Sequence, residues 1–240
     1  MGKTARCRLA FIGAARYADA MTNQEILSRI DHTLLKAVSS WADIKKLCGE
    51  AETYKTASVC IPPSYIRRAR EDFADLAICT VIGFPLGYSV TSAKIREAED
   101  ALTAGASEID MVINIGDVKN QDFDAVLEEV TSLKKTAGPK ILKVIVETCY
   151  LTEAEKIRLC GIVTAAGADY IKTSTGFGTG GALLEDILLF KKHIGPQVKI
   201  KAAGGIKTRA DLETFLGAGC DRIGTSSAVA LLSGGASSGY

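Results

Sequence analysis

Short β-branched segments alternate with amphipathic segments of helical length along nearly the whole chain. The pattern predicts strands at 30–33, 58–61, 77–82, 108–113, 141–147, 170–173, 199–203 and 222–225. Strands that alternate with helices through short connections form parallel sheets with right-handed crossovers. Eight such units close into an α/β fold, the TIM (β/α)8 barrel, whose usual length of about 250 residues suits a chain of 240. An open doubly wound sheet is the alternative, but no second-domain signal supports it.

Three helix-to-strand junctions repeat one pattern: Ala104-Gly-Ala-Ser-Glu-Ile-Asp110, Ala166-Gly-Ala-Asp-Tyr-Ile-Lys172 and Ala218-Gly-Cys-Asp-Arg-Ile-Gly224. In each, the glycine is expected to end a helix in the left-handed conformation, and the strand starts at once. Aligning the junctions places Asp110, Lys172 and Gly224 at the same level of three different strands. The repeat therefore supports the barrel and brings a carboxylate and an amine to one height.

Capping signals place several helix ends. Helices are predicted to open at Thr22, at the capping box Thr152-Glu-Ala-Glu155, and at Thr208. The last of these is expected to end near Gly217, and an amphipathic helix at 122–137 is closed by Gly138. These signals agree with the alternation of strands and helices.

The first 22 residues differ from the rest of the chain. Residues 1–20 carry Lys3, Arg6, Arg8 and Arg16 but only one acid, Asp19. Both a basic targeting leader and a frayed extension fit this composition. We predict a single barrel domain at 23–240, preceded by an N-terminal helical extension at 1–22.

Composition excludes several classes of function. The net charge of +1 gives no sign of a nucleic-acid partner. Seven cysteines without a C-x-x-C pair and only two histidines argue against a disulfide framework, a zinc site and a cage of several histidines. No apolar stretch reaches the roughly 18 residues of a membrane span. We therefore expect a cytoplasmic protein with no metal and no cofactor, whose chemistry uses lysine and carboxylate side chains.

Charged residues occupy strands that should be apolar if they were ordinary parallel strands of a barrel. Within each strand they share one face, because side chains alternate. The apolar face must pack on the helices, so the charges are predicted to point into the barrel. They are Glu108, Asp110, Lys143, Glu147, Lys172, Lys199 and Lys201. A structural ion-pair network is the plain interpretation of this set.

Two of these lysines favour a functional interpretation. Lys172 and Lys201 lie at the carboxyl ends of their strands, where barrel enzymes place their chemistry. Mutual repulsion and burial are expected to lower the affinity of both amines for protons, and a neutral amine is what addition to a carbonyl needs. Asp110 can exchange protons directly or through water. Glu108, Lys143 and Lys199 are expected to support this set by ion pairing.

Glycine-rich loops follow the last strands. The run Gly176-Phe-Gly-Thr-Gly-Gly181 fits a dinucleotide fingerprint, but the acidic residue required about 20 residues on is missing from 199–203. Ala203-Gly-Gly-Ile206 and Gly224-Thr-Ser-Ser227 follow the seventh and eighth strands, where many barrels hold phosphate. Ser226 and Ser227 are the best candidate ligands.

Several motifs together resemble one family, deoxyribose-phosphate aldolase, over residues 23–240. They are Ile30-Asp-His-Thr-Leu-Leu, Gly83-Phe-Pro-Leu-Gly, Glu108-Ile-Asp-Met-Val-Ile-Asn, Leu142-Lys-Val-Ile-Val-Glu-Thr, Ile171-Lys-Thr-Ser-Thr-Gly, Lys201-Ala-Ala-Gly-Gly-Ile and Ile223-Gly-Thr-Ser-Ser. The resemblance implies a class I aldolase that reversibly cleaves 2-deoxy-D-ribose 5-phosphate to D-glyceraldehyde 3-phosphate and acetaldehyde, in deoxyribonucleotide catabolism.

The resemblance also implies residue roles. Lys172 would form the Schiff base, Lys201 would perturb it, and Asp110 would donate and accept protons. The implied substrate pocket contains Asp31, Thr33, Cys60, Glu147 and Thr175, and the implied phosphate site contains Gly176, Gly204, Gly205, Gly224, Ser226 and Ser227. Tyr240 resembles a tail tyrosine that takes part in proton transfer. Phe177 departs from the pattern, because some members have a phosphate-binding lysine there.

Two other functions fit parts of the pattern. Another lysine-dependent barrel enzyme, such as a transaldolase or a thiazole-forming synthase, would share Lys172 but differ in its second lysine. A phosphosugar-binding barrel without catalysis explains the phosphate loops but not two strand-end lysines beside Asp110. The expected partners are a small phosphosugar and acetaldehyde, with no nucleic acid or membrane, and a homo-oligomer of two or four copies.

Overall fold

A computed structural model describes residues 21–233. Eight parallel strands pair in sequence order, and the last pairs with the first, so the sheet is a closed barrel. The strands are β1 Ile30–Thr33, β2 Ser58–Cys60, β3 Ile78–Ile82, β4 Glu108–Val112, β5 Ile141–Ile145, β6 Tyr170–Lys172, β7 Lys199–Ala203 and β8 Arg222–Thr225. This confirms the predicted TIM barrel.

Helices connect the strands and cover the outside of the barrel. They are α1 Asn23–Leu27, α2 Trp41–Tyr54, α3 Ile66–Asp72, α4 Thr91–Ala104, α5 Ile115–Lys119, α6 Phe123–Ala137, α7 Glu153–Ala165, α8 Leu184–His193, α9 Arg209–Ala218 and α10 Ala228–Leu232. Short 3-10 helices lie at Pro63–Tyr65 and Thr148–Tyr150. Among the described residues, none of the helices has the length and apolar character needed to cross a membrane.

The predicted helix starts are confirmed. Thr22, Thr152 and Thr208 each cap a helix, in a capping box with the acidic residue three positions on. Ser40 adds a further capping box at α2. Helix α9 runs one residue past the predicted end near Gly217, because the left-handed residue that stops it is Gly219.

The repeated junctions have the expected geometry. Gly105, Gly167 and Gly219 all adopt positive φ, at 111°, 71° and 114°. Only glycine adopts this region at no steric cost, so each helix turns directly into the next strand. Because these connections are equally short, they place Asp110, Lys172 and Gly224 at corresponding positions in their strands.

Several strands are shorter than predicted. β5 ends at Ile145 rather than at 147 because Glu147 adopts a left-handed conformation, with φ at 56°. Ile113 and Thr173 keep one ladder hydrogen bond each, to the carbonyls of Ile145 and Lys201, but lie beyond the regular pairing. These residues turn into the loops at the carboxyl ends of the strands.

Strand parity divides the barrel as predicted. The apolar faces of most strands pack under the helices in the main core, which contains Ile109, Met111, Leu142, Val144, Val146, Ile171, Ile200 and Ile223. Val59 of β2 and Ile78 of β3 pack in a second core. The opposite face carries Asp110, Lys143, Lys172 and Lys201 inward. In register, Lys172 lies beside Ile145 on one side and Lys201 on the other, and Asp110 lies beside Lys143.

The predicted N-terminal extension, residues 1–22, lies outside the described residues except for Met21 and Thr22. Helix α1 begins directly after Thr22, at Asn23. The division of the chain at residues 22 and 23 stays a prediction.

Candidate active site

Asp110 lies at the centre of a buried cluster inside the barrel and is 0% exposed. Its Oδ2 accepts hydrogen bonds from the Nζ atoms of Lys172 and Lys201, each at 2.7 Å. Its Oδ1 accepts from Nζ of Lys143 at 2.9 Å. Three ammonium groups therefore surround one carboxylate, and β4, β5, β6 and β7 each contribute one of these residues.

A second tier lies below this centre. Asp31, on β1, accepts hydrogen bonds from Lys201, Arg222 and the hydroxyl of Ser58. Glu108 pairs with Nζ of Lys143 at 2.6 Å and with Arg222 at 3.4 Å. In all, the four cations Lys143, Lys172, Lys201 and Arg222 face the three carboxylates Asp31, Glu108 and Asp110. The cluster holds one more cationic side chain than carboxylates.

The ion pairs of the cluster shift the pKa values of Asp110 and Lys201 toward their charged forms. Burial alone would raise the pKa of Asp110, but Lys143, Lys172 and Lys201 hold that pKa well below the usual range. Burial likewise opposes the charge of Lys201, yet Asp110 and Asp31 raise the pKa of Lys201 above its ordinary value. The prediction that repulsion and burial would leave Lys201 inclined to lose its proton is therefore wrong. Lys201 is a firmly charged cation.

The supporting lysines differ from one another. Lys143 is 0% exposed and contacts Asp110, Glu108 and Asp31, as expected for a structural ion pair. The prediction for Lys199 is wrong. Lys199 is exposed at the amino end of β7, where its Nζ lies 5.8 Å from the centre of the Tyr170 ring. The strand starts at this residue, so its side chain reaches solvent.

Lys172 also reaches a cavity of about 500 Å³ at the carboxyl ends of the strands. The predicted residues that line this cavity are Thr33, Lys172, Thr175, Gly176, Gly204, Gly205, Gly224, Ser226 and Ser227. The amine and both candidate phosphate loops thus face a single space. Lys172 is 3% exposed, so little of its surface is open to this cavity.

The two phosphate loops lie side by side, because the hydroxyl of Thr225 donates to the carbonyl of Ile206 at 3.0 Å. Gly204 and Gly205 have φ values of 84° and 76°, which a residue with a side chain rarely adopts. A Cβ on Gly181 would lie 2.4 Å from the carbonyl oxygen of Gly204, so the loop after β6 packs directly on the loop after β7. The Ser227 hydroxyl contacts that of Thr225 at 3.0 Å. Ser226 is half-buried.

Some predicted pocket residues do not line the cavity. Asp31, Asp110 and Lys201 lie beneath Lys172 in the ion cluster. Cys60 is fully buried in a small apolar cluster with Cys79 and Val81, against which Leu35 and Phe84 pack. Tyr240 lies outside the described residues.

Glu147 is the remaining predicted pocket residue outside the cavity, and it holds a loop. Its carboxylate accepts hydrogen bonds from the amide and the hydroxyl of Thr175. The same hydroxyl accepts from the amide of Phe177 at 3.0 Å. Burial raises the pKa of Glu147 above its ordinary value. Glu147 therefore positions the loop that follows Lys172.

Three basic residues of the site were not predicted from the sequence. Arg222 completes the ion cluster, and parity could have found it, because Arg222 lies two positions before the inward-facing Gly224 on β8. Lys36 and Lys207 line the cavity together with the phosphate loops. Their positions in loops after β1 and β7 gave no periodic signal.

Within residues 21–233, two groups of side chains bring three potential metal ligands together: Cys60, Cys79 and Asp110, and Asp31, Cys79 and Glu108. The ammonium of Lys143 already lies among them. Its Nζ is 3.2 Å from Sγ of Cys79, 2.9 Å from Asp110 and 2.6 Å from Glu108. Among the described residues, these donors therefore suit a lysine better than a second cation.

Comparison with known proteins identifies the family of the chain. Residues 25–239 match the family described as DeoC/LacD family aldolase. The chain is 65% identical to a deoxyribose-phosphate aldolase of Clostridium botulinum, over 92% of this chain and 100% of that protein. It is 58% identical to one of Clostridioides difficile, over 87% of this chain and 96% of that protein.

Solved structures share the fold. A putative deoxyribose-phosphate aldolase from Coccidioides immitis superposes with a TM-score of 0.86 at 36% identity, covering 90% of this chain and 87% of the other. A tetrameric deoxyribose phosphate aldolase from Aeropyrum pernix superposes with a TM-score of 0.83 at 34% identity, covering 90% and 93%. The class of protein is thus a TIM-barrel aldolase, a carbon–carbon lyase. The chain belongs to the DeoC/LacD aldolase family.

Proposed function

We propose that this aldolase reversibly cleaves 2-deoxy-D-ribose 5-phosphate to D-glyceraldehyde 3-phosphate and acetaldehyde through a Schiff base on Lys172. The names and the 55–65% identity of its bacterial relatives support the substrate. One observation carries the mechanism: the side chain of Lys172 lines the cavity and its Nζ contacts Asp110. A nucleophile and a proton acceptor are therefore within reach of the same bound carbonyl.

The reaction begins when the neutral amine of Lys172 adds to C1 of the open-chain sugar. Loss of water leaves a protonated imine. The C3 hydroxyl then gives up its proton as the C2–C3 bond breaks, and the electron pair of that bond moves toward the imine nitrogen. Glyceraldehyde 3-phosphate leaves, and an enamine remains on Lys172. Protonation of C2 and hydrolysis of the imine release acetaldehyde and regenerate the lysine.

The charges of the ion cluster suit the neutral form of Lys172 that starts the reaction. When Lys172 is neutral, the three remaining cations match the three carboxylates. Asp110 also loses one of the three ammonium groups that lower its pKa, which makes it a better proton acceptor. We assign to Asp110 the proton transfers near C2 and C3, directly or through water. Lys201 serves as the fixed cation that keeps Asp110 in place.

The phosphate would lie against the loops after β7 and β8. Gly204 and Gly205 let the backbone approach an anion closely, and Ser226 and Ser227 offer hydroxyl and amide donors. Lys36 and Lys207, which line the same cavity, add positive charge. A phosphate held there leaves the carbonyl end of the sugar to reach Lys172.

The proposal extends to the cellular role and the assembly. We place the enzyme in deoxyribonucleotide catabolism in the cytoplasm, acting without a cofactor. The tetrameric relative from Aeropyrum pernix supports a homo-oligomer.

The function is tested by incubating the protein with 2-deoxyribose 5-phosphate and detecting glyceraldehyde 3-phosphate with a coupled dehydrogenase. Ribose 5-phosphate is the comparison substrate. Release of glyceraldehyde 3-phosphate from the deoxy sugar alone is the expected result. No release from it, or equal release from both sugars, would refute the proposed substrate.

A further inference from the structure

Two aromatic residues meet across the mouth of the barrel. The ring centres of Phe84 and Phe177 are 5.3 Å apart, and the rings are nearly perpendicular, at 86°. This edge-to-face arrangement is a favourable one for aromatic pairs. Phe84 follows β3 and Phe177 follows β6, and two further strands lie between these on the closed sheet. The contact therefore bridges loops that the sheet itself does not join.

Phe84 is held in place on both sides. The amide of Gly83 donates to Glu97 at 2.7 Å, and the amide of Gly87 donates to the carbonyl of Gly83 at 2.8 Å. A Cβ on Gly87 would lie 2.0 Å from the carbonyl oxygen of Ile113, so this loop lies directly on the end of β4. The ring of Phe84 rests on the apolar cluster inside the barrel.

Phe177 is held from the opposite side. Its amide donates to the Thr175 hydroxyl, which Glu147 orients. A few residues later, Gly181 packs against the carbonyl of Gly204. The backbone of Phe177 is thus fixed, although its side chain is 52% exposed.

The pair lies between two cavities. Phe177 lines the cavity that contains Lys172, and Phe84 lines a neighbouring cavity of about 550 Å³ between β2, β3 and α4. Leu35 lines both. An apolar wall of Leu35, Phe84 and Phe177 therefore lies between them, on one side of the cavity that Lys172 reaches.

We propose that Phe84 and Phe177 act as one specificity-determining unit that binds the carbon chain of the acceptor aldehyde in the addition direction. The inference rests on the proposed function, since it needs an acceptor that adds to an enamine on Lys172. This apolar wall offers aliphatic and aromatic surface to a bound chain. It therefore favours acceptors with an alkyl chain, whereas the loops after β7 and β8 favour those with a phosphate.

The test compares two acceptors in acetaldehyde addition, glyceraldehyde 3-phosphate and butanal, with the variants Phe84→Ala, Phe177→Ala and the double variant. Each single variant should lower kcat/KM for butanal by about tenfold and change that for glyceraldehyde 3-phosphate by less than about threefold. The double variant should lose less than the product of the two single losses, because residues in contact are not additive.

Leu188→Ala is the matched control, because Leu188 is also 52% exposed but lies on α8 beside a different surface cavity. It should leave both acceptors unchanged. Equal losses for both acceptors, unchanged butanal kinetics or strictly multiplicative losses would overturn the inference. Cleavage of 2-deoxyribose 5-phosphate by the unmodified enzyme is measured alongside. If that cleavage is present, such results refute the aromatic unit only, and if it is absent, the proposed function itself fails.

Discussion

Lys172 and Lys201 donate hydrogen bonds to the same oxygen atom, Oδ2 of Asp110, each at 2.7 Å. They are neighbours in register on β6 and β7, so the barrel itself sets this arrangement. Only Lys172 of the two lines the cavity. The shared oxygen couples a lysine that can meet substrate to one that cannot. A change of charge at Lys201 therefore alters the electrostatic environment of both Asp110 and Lys172.

Lys201→Leu should lower kcat by about 100-fold or more, because Asp110 loses the cation that holds it beside Lys172. The barrel should still fold, as judged by its far-ultraviolet circular dichroism. Lys199→Leu is the matched control, since Lys199 lies on the same strand but is exposed at the opposite end. Its kcat should be unchanged. Near-normal turnover in the Lys201 variant would show that Lys201 does not support the reaction.

Asp110→Asn should reduce kcat by about 100- to 10,000-fold, because an amide of the same shape cannot accept the proton. Glu108→Gln is the control, because Glu108 lies two residues earlier on the same face of β4. This variant removes a carboxylate from the ion cluster without removing the proposed proton acceptor. Glu108 contacts Lys143 and Arg222 but not Lys172, so its loss should lower stability more than turnover. Equal kinetic losses in the two variants would contradict a role for Asp110 in proton transfer.

Acid should destabilise the barrel through Asp31. Burial alone would raise the pKa of Asp31, but Lys143, Lys201 and Arg222 hold it well below the usual range. Below about pH 4 the unfolded chain takes up a proton at this residue and the folded chain does not. The free energy of unfolding should then fall by about 1.4 kcal/mol per pH unit from this group alone.

Denaturant unfolding at about pH 5, 4 and 3 measures this slope. Asp31→Asn should be less stable at neutral pH by about 3–5 kcal/mol, because buried cations lose their partner. Below about pH 4 the free energy of unfolding of Asp31→Asn should also fall less steeply with pH, because this carboxylate no longer contributes to the slope. Parallel slopes for the two proteins would contradict the assignment.

Gly224→Ala should impair turnover by displacing Lys201. A Cβ at this position would lie 3.1 Å from Cε of Lys201 and 3.2 Å from Cβ of Ala203. Because the ammonium of Lys201 is fixed by two carboxylates, even a small shift of its side chain disturbs the contact with Asp110. Gly161→Ala is the control, because Gly161 lies in helix α7 and a Cβ added there would meet no atom within 4 Å. The Gly161 variant should raise the free energy of unfolding by about 0.5–1 kcal/mol and leave kcat unchanged. Unaffected turnover in Gly224→Ala would show that a Cβ at residue 224 does not displace Lys201.

The barrel and the inward charges could be predicted because both follow from regular periods. Alternating parity placed Asp110, Lys143, Lys172 and Lys201 on the inner face, and the repeated glycine junction set the level of Asp110 and Lys172. Parity cannot say how far along the barrel axis a side chain reaches, which is why Lys199 was misplaced. It also does not give the pairing of charges. Burial and repulsion by Lys172 were expected to make Lys201 lose its proton, but Asp110, and Asp31 from the other end of the chain, raise the pKa of Lys201.

The contacts between loops lay beyond sequence reasoning. The left-handed conformation of Glu147 turns its carboxylate toward Thr175, and no local pattern marks this in a residue other than glycine. The contact of Phe84 with Phe177 joins residues that are distant in sequence and lie in loops after two strands that are not adjacent. Such contacts depend on the closure of the barrel, which a one-dimensional pattern does not contain.

The most direct test of the central claim is to trap the imine. The protein is incubated with acetaldehyde and a hydride reductant, and its peptides are analysed by mass spectrometry. We predict that a two-carbon adduct forms on Lys172 much faster than the background adduct on the exposed Lys199, that this fast labelling is lost in Lys172→Arg, and that no adduct forms on the buried, charged Lys201. Labelling of Lys172 no faster than that of Lys199, or no adduct on Lys172, would contradict the Schiff base.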